Sequence, residues 1–182
     1  MISLTRKQID HALQRVEAGL RKYISLQEDL KEVDVSTDRS FQKRFNHFYR
    51  VRRNANWQSH FYELLESKKN TGITFQSAVN EIRRRSGRLE ASFASKLVAT
   101  IHTEKPVIDS FVLKNTGLKL PYSAAKDRET KICAVYAELQ NTLQDFLRTD
   151  NGKYLVREFE AKFPSAQITK VKMVDFVLWQ IR

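Results

Sequence analysis

Asp109 is a carboxylate in an unexpected place. It falls within Pro106-Val107-Ile108-Asp109-Ser110-Phe111-Val112, among apolar residues that read as the first turn of a short helix. Pro106 suits the entry of that helix, because its missing N–H is one the first turn leaves unpaired anyway. Asp109 would then lie beside unpaired backbone N–H groups, at the positive end of the helix dipole. Two roles fit that position. A capping or dipole-stabilising Asp contributes about 0.5–1 kcal/mol. An ionised carboxylate held there can also stabilise positive charge or orient a water.

Other chemistries find no footing. There is no GxSxG, and the single cysteine, Cys133, has no activating neighbours in sequence. The five glycines are scattered singly, so no Gly-rich phosphate loop is formed. No pair of carboxylates has the arrangement used in glycoside hydrolysis. His11, His47, His60 and His102 show no HxxxH or HExxH spacing, and one cysteine can neither build a cluster nor close a disulfide. Neither a metal nor a cofactor is expected.

The second chemical signal is charge. The chain carries a formal net charge of +11, placed unevenly. Segment 39–88 holds 12 Lys/Arg against 3 acids, while the rest holds 20 against 18. A focused positive field attracts polyanions, nucleic acid first among them. The candidate contacts are Lys43, Arg44, Arg50, Arg52, Arg53, Arg83, Arg84, Arg85 and Arg88, with Lys96 just beyond. The helix dipole accounts for one or two of the three consecutive arginines at 83–85. A cluster pointing several ways at once suits a phosphate backbone or an acidic partner. DNA is the expected partner; RNA or an acidic protein is the alternative, and a solvated surface is the plain reading.

These residues need elements to hold them. Three prolines and five glycines in 182 residues is little punctuation, which favours long helices over a sheet of many turns. The expected fold is all-α, with about eight helices in a single domain over 1–182, or in two small helical lobes. A stripe of Ile9, Leu13, Val16, Leu20 and Ile24 predicts one helix from a Thr5 cap to about Leu30, with Gly19 as a weak point. Helices with aromatic stripes follow. Phe41, Phe45, Phe48 and Tyr49 start near Asp38, and Trp57, Phe61, Leu64 and Leu65 come after the Asn54 joint. Rings interleaved with cations suit a single-strand surface, but this spacing is that of a core. Thr74 caps the helix that ends in the arginines, and segment 86–117 forms a helix–loop–helix. A long helix from about Ser123 to Leu147 should close at Asp150-Asn151-Gly152, before a helix over 153–162 and an apolar last helix. Asp175 interrupts that last helix, exposed or paired with Lys172 or Arg182. No apolar run approaches the ~18 residues of a membrane span, and the first residues lack a signal-peptide core. A soluble, cytoplasmic protein that does not engage membranes is expected.

A helix, a short loop, then Pro-x-x-Asp opening another helix resembles the core of the helix-hairpin-helix DNA glycosylases. Ala94-Ser95-Lys96-Leu97-Val98-Ala99 and residues 106–112 are similar to those parts over about thirty residues. The resemblance implies the family's all-α fold and assigns Asp109 the place of the catalytic aspartate. The family's Gly-rich hairpin is replaced here by Ser86-Gly87-Arg88-Leu89-Glu90-Ala91-Ser92. The lysine that attacks the sugar in bifunctional members falls at Phe93, and the cysteines of an iron–sulfur cluster are absent. What the resemblance implies is a monofunctional glycosylase, or a relative that keeps the fold without the chemistry.

Overall fold

Side chains that accept a backbone N–H set most of the helix starts. Thr5 accepts the Gln8 amide at 3.3 Å, and the Gln8 side chain accepts the Thr5 amide at 2.9 Å, a capping box. Asp38, Asn54, Thr74, Thr149 and Thr169 each accept the amide of the third residue of the next helix. The computed structural model describes residues 2–181, and among them the chain is all-α, with ten helices and no strand. These are α1 Arg6–Leu13, α2 Glu17–Glu32, α3 Arg39–Tyr49, α4 Ala55–Lys68, α5 Phe75–Ser86, α6 Ala91–Ile101, α7 Ser110–Thr116, α8 Arg128–Arg148, α9 Asp150–Lys162 and α10 Lys170–Gln180.

The chain divides into two compact units. One combines Met1–Glu17 with Thr103–Arg182; the other is the continuous stretch Ala18–His102. In the discontinuous unit, α10 is the central element and packs on α1, α7, α8 and α9. Val171 to Leu178 are all buried, as a helix apolar on most of its circumference requires. Asn115 ties α7 to its end by donating to the Leu178 and Ile181 carbonyls at 3.2 and 3.1 Å. Asp175 pairs with Lys172 at 3.1 Å with both side chains buried; Arg182 lies outside the described residues. Asp175 also accepts the Val107 amide at 3.3 Å, while the Tyr136 hydroxyl donates to the Pro106 carbonyl at 3.2 Å. Segment 106–108 is thus buried and fixed from two sides.

In the continuous unit, α6 is the core helix and packs on α4 and α5. The rings of α3 and α4 face inward as their spacing predicts: Phe41, Phe45, Phe61 and Tyr62 are buried and meet edge to face or tilted. The Tyr62 hydroxyl donates to Asn46 Oδ1 at 2.7 Å, and burial pushes its pKa well above the ordinary phenol value.

Three boundaries differ from the sequence expectation. The helix over 5–30 is interrupted at 14–16 by a tight turn, with the Arg15 amide bonded to the Ala12 carbonyl at 2.9 Å. Leu13, Val16 and Leu20 stay buried on either side, so the apolar stripe runs through the break without showing it. The long helix begins at Arg128 rather than near Ser123, after Asp127 adopts a left-handed backbone at φ 53°. Its end falls at Arg148 as the stripe predicts, but the closing residue differs: Thr149 closes α8 and caps α9, so Asp150, Asn151 and Gly152 open the next helix instead of closing the last.

Candidate nucleic-acid interface

The turn over 69–74 folds α5 back along α4, so that the first turns of α4 meet the last turn of α5. The apolar seam between them is uneven. On α4 it extends through Leu64, Phe61 and Trp57, whereas on α5 it ends at Ile82 and gives way to Arg85 and Ser86. A depression of about 220 Å³, including its open mouth, results, lined by these residues and His60. Trp57 stacks on Phe61 (centroids 5.3 Å, planes 17° apart) and leans on Phe93 at 4.6 Å. The His60 imidazole is half-buried and makes no hydrogen bond among the described residues.

Cations rim this groove. Arg53 lies over the rings of Trp57 and Phe93 at 6.0 and 5.1 Å, and its Nη2 donates to both Glu90 oxygens at 2.9 and 3.0 Å. Arg85 pairs with Glu63 at 3.1 Å, and Glu63 accepts the Ser59 hydroxyl at 3.0 Å. Past the groove, Gly87 ends α5 in a left-handed turn whose amide donates to the Arg83 carbonyl at 2.8 Å, and exposed Arg88 follows.

The ten cations singled out by sequence fall into three groups. Lys43, Arg50, Arg52 and Arg88 are exposed, and their side chains pair with no described residue. Arg44, Arg53, Arg84 and Arg85 hold carboxylate partners in Asp29, Glu90, Glu81 and Glu63; Arg83 is exposed and is also engaged. Lys96 is a correction. It is 9% exposed, donates to the Tyr49 carbonyl at 3.0 Å and lies 4.9 Å from the Phe93 ring centre. Arg50, in a left-handed backbone at φ 53°, ends α3 next to that carbonyl. The ammonium satisfies a backbone oxygen inside the unit and presents nothing to a phosphate.

Asp109 belongs to the other unit. It precedes α7 as its N-cap, not within the first turn, and its Oδ1 accepts the Phe111 amide at 2.9 Å. The shift has a simple cause: 106–108 is held straight by its bonds to Asp175 and Tyr136, so the helix starts only where the Asp side chain takes an amide. The carboxylate is half-buried, with one oxygen engaged.

Sequence reading placed Trp57 and Phe61 in the core, and weighed His60 only as a metal ligand and Ser86 only as part of the altered hairpin. The register mismatch between the two stripes was the available signal: α4 keeps apolar residues one turn further than the helix folded against it.

Among the described residues no three His, Cys, Asp or Glu side chains gather as a metal site, and no helix is long and apolar enough to cross a membrane. No protein-family model matches the chain, nor does any curated protein or solved structure.

Proposed function

We propose that this protein binds nucleic acid, DNA in the first instance, through the continuous unit. One observation carries the reading: Lys43, Arg50, Arg52 and Arg88 are exposed cations whose side chains have no partner among the described residues, in a segment whose surplus charge is +9. Cations spent on carboxylates contribute little to a field; unspent ones attract phosphate and release its counterions on contact. The test is anisotropy of a labelled DNA duplex across a salt series. Four phosphate contacts give a slope of log K against log salt of about −3.5. Salt-independent binding, or none at low ionic strength, excludes the reading.

Base excision by Asp109 is the second reading. It rests on the resemblance to the helix-hairpin-helix glycosylases and on the fixed seat of 106–109, which would hold a carboxylate steady against a developing charge. The Asp109→Asn variant decides it: excision requires base release to vanish while binding and folding persist. Activity retained in that variant, or absent from the wild type on a panel of damaged duplexes, leaves binding alone.

A further inference from the structure

We infer that the connection between α3 and α4 is the principal grip on backbone phosphate, with Arg50 and Arg52 as its contact residues. The inference rests on the nucleic-acid reading above and adds to it which element of the continuous unit carries the affinity. Arg50 is the residue out of place. It ends α3 in a left-handed backbone at φ 53° and ψ 45°. That conformation strains any residue with a Cβ, and glycine is the usual occupant of such a helix end. Helices α5 and α7 end in this way on Gly87 and Gly117. Among the described residues, α3 is the helix that ends on a left-handed residue other than glycine.

A cation at a helix C-terminus is ordinarily explained by the helix dipole. Here that task is already filled, because the buried Lys96 ammonium donates to the Tyr49 carbonyl at the end of α3. The Arg50 and Val51 amides both donate to the Asn46 carbonyl, so the turn closes through backbone alone. The Arg50 side chain is exposed and pairs with no described residue. Neither the helix end nor the packing of the unit accounts for an arginine at a position suited to glycine. Backbone strain kept under a side chain with no task in the fold points to a ligand.

The connection itself is held still. Val51 is buried between the two exposed arginines and anchors them. Asn46 on α3 donates to Gln58 Oε1 on α4 at 2.7 Å, and Gln58 Nε2 donates to the Arg53 carbonyl at 2.5 Å. A segment fixed at both ends loses little freedom on binding. Arg53 is turned to Glu90 and is not counted as a contact. The connection leads directly into α4, so the positive end of that helix dipole adds to the field of the two guanidiniums. A guanidinium fork matches two oxygens of one phosphate, which a lysine cannot do. Contacts of this kind position a strand without reading its sequence.

The experiment combines thermal melts with anisotropy of two labelled duplexes of unrelated sequence across a salt series, on the whole chain as wild type, Arg50→Gly, Arg52→Ala and Lys43→Ala. Arg50→Gly is expected to melt about 1–4 °C higher than wild type, because glycine relieves the strain. It should nevertheless bind both duplexes about 10- to 150-fold more weakly, the effect of one charged hydrogen-bonding group. Arg52→Ala should show the same loss with an unchanged melting temperature, and each variant should flatten the salt slope by about 0.9. Lys43→Ala, a single exposed charge on a flexible stem, should lose about fivefold or less. An Arg50→Gly protein that melts lower and keeps its affinity assigns Arg50 to the helix dipole and overturns the inference. Losses in Arg50→Gly and Arg52→Ala no greater than in Lys43→Ala overturn the grip while leaving nucleic-acid binding intact. Absence of binding by the wild type at low salt overturns the underlying reading. Losses toward poly-glutamate but not toward DNA assign the connection to an acidic polypeptide and also overturn the inference.

Discussion

The Lys172 ammonium and the Asp175 carboxylate stand 3.1 Å apart in the interior of α10, each side chain 1% exposed. Removing two charges from water costs several kcal/mol each, and their attraction repays this only when further hydrogen bonds complete the site. Here the Val107 amide completes it in part: Asp175 Oδ2 is satisfied, while Oδ1 has no partner among the described residues. Burial pushes the Asp175 carboxyl above its ordinary value; Lys172 and the Val107 amide oppose this, and the nearby Asp109 carboxylate adds to it. Lys172→Met should therefore cost about 3–5 kcal/mol at neutral pH, because it strands a buried carboxylate. Adding Asp175→Asn should recover that loss, since Asn can still accept the Val107 amide. Urea denaturation of the single and double variants checks both.

The same pair sets a pH dependence. The folded pKa of Asp175 lies above the ordinary 3.8, so the folded chain binds this proton more tightly than the unfolded one. That contribution is fully present below the unfolded value and is lost as pH rises through the folded one. The double variant lacks the group. Its stability relative to wild type should be lowest at the acid end and rise as pH climbs above the ordinary carboxylate value and through the raised folded one. A difference that is flat with pH would show that the carboxyl is not raised.

Lys96 and Arg88 should separate cleanly, although both were legible in sequence only as cations. Lys96→Ala removes the donor to the Tyr49 carbonyl and should cost about 1–3 kcal/mol for a buried acceptor left bare. The salt slope of DNA binding should not change. Arg88→Ala should leave the melting temperature within error and flatten the slope by about 0.9. Thermal melts and a salt titration on both proteins read the contrast.

Why one of these cations is inside could not be seen in the chain. Periodicity finds the faces of α6, and Phe93 and Leu97 fall where expected, but residues 93–100 are all buried. A helix enclosed all round needs a partner for its one cation, and that partner is a backbone oxygen 47 residues earlier. Backbone oxygens carry no sequence signal. The caps at Thr5, Asp38 and Thr74 were legible for the opposite reason: they act within three residues of themselves. The Trp57 groove lies between these cases, since its parts were visible and only the pairing of α4 with α5 opened it.

Asp109 yields a prediction independent of catalysis. Asn caps about as well as Asp, so Asp109→Asn should hold stability nearly constant, while Asp109→Ala should lose about 1 kcal/mol. Differential scanning calorimetry on the two variants tests the cap, and a large loss with Asn would show that the carboxylate charge has another task.

Gly152 is required by space. A Cβ there would lie 2.0 Å from the Phe146 carbonyl oxygen and 2.8 Å from the Leu147 Cα, both rigid backbone. Gly152→Ala should force α8 and α9 apart at the Thr149 corner and cost more than about 3 kcal/mol, beyond ordinary overpacking. Gly87, whose φ is +71° with open space around it, is the control: Gly87→Ala pays only the backbone strain, about 1 kcal/mol. Chemical denaturation ranks the two.

The interruption of one unit by the other fixes an order of events during synthesis. Ala18–His102 leaves the ribosome as a complete block, able to close its core while the remainder is still being made. Helix α1 is made before that block but packs on α9 and α10, which are made after it. Its apolar side, with Ile9 and Leu13, must wait for about 140–170 further residues, on the order of 7–34 s at about 5–20 residues per second. Helix α1 thus precedes the block in the chain and is sheltered only after it, and a chaperone acting on the nascent chain would meet it in that interval.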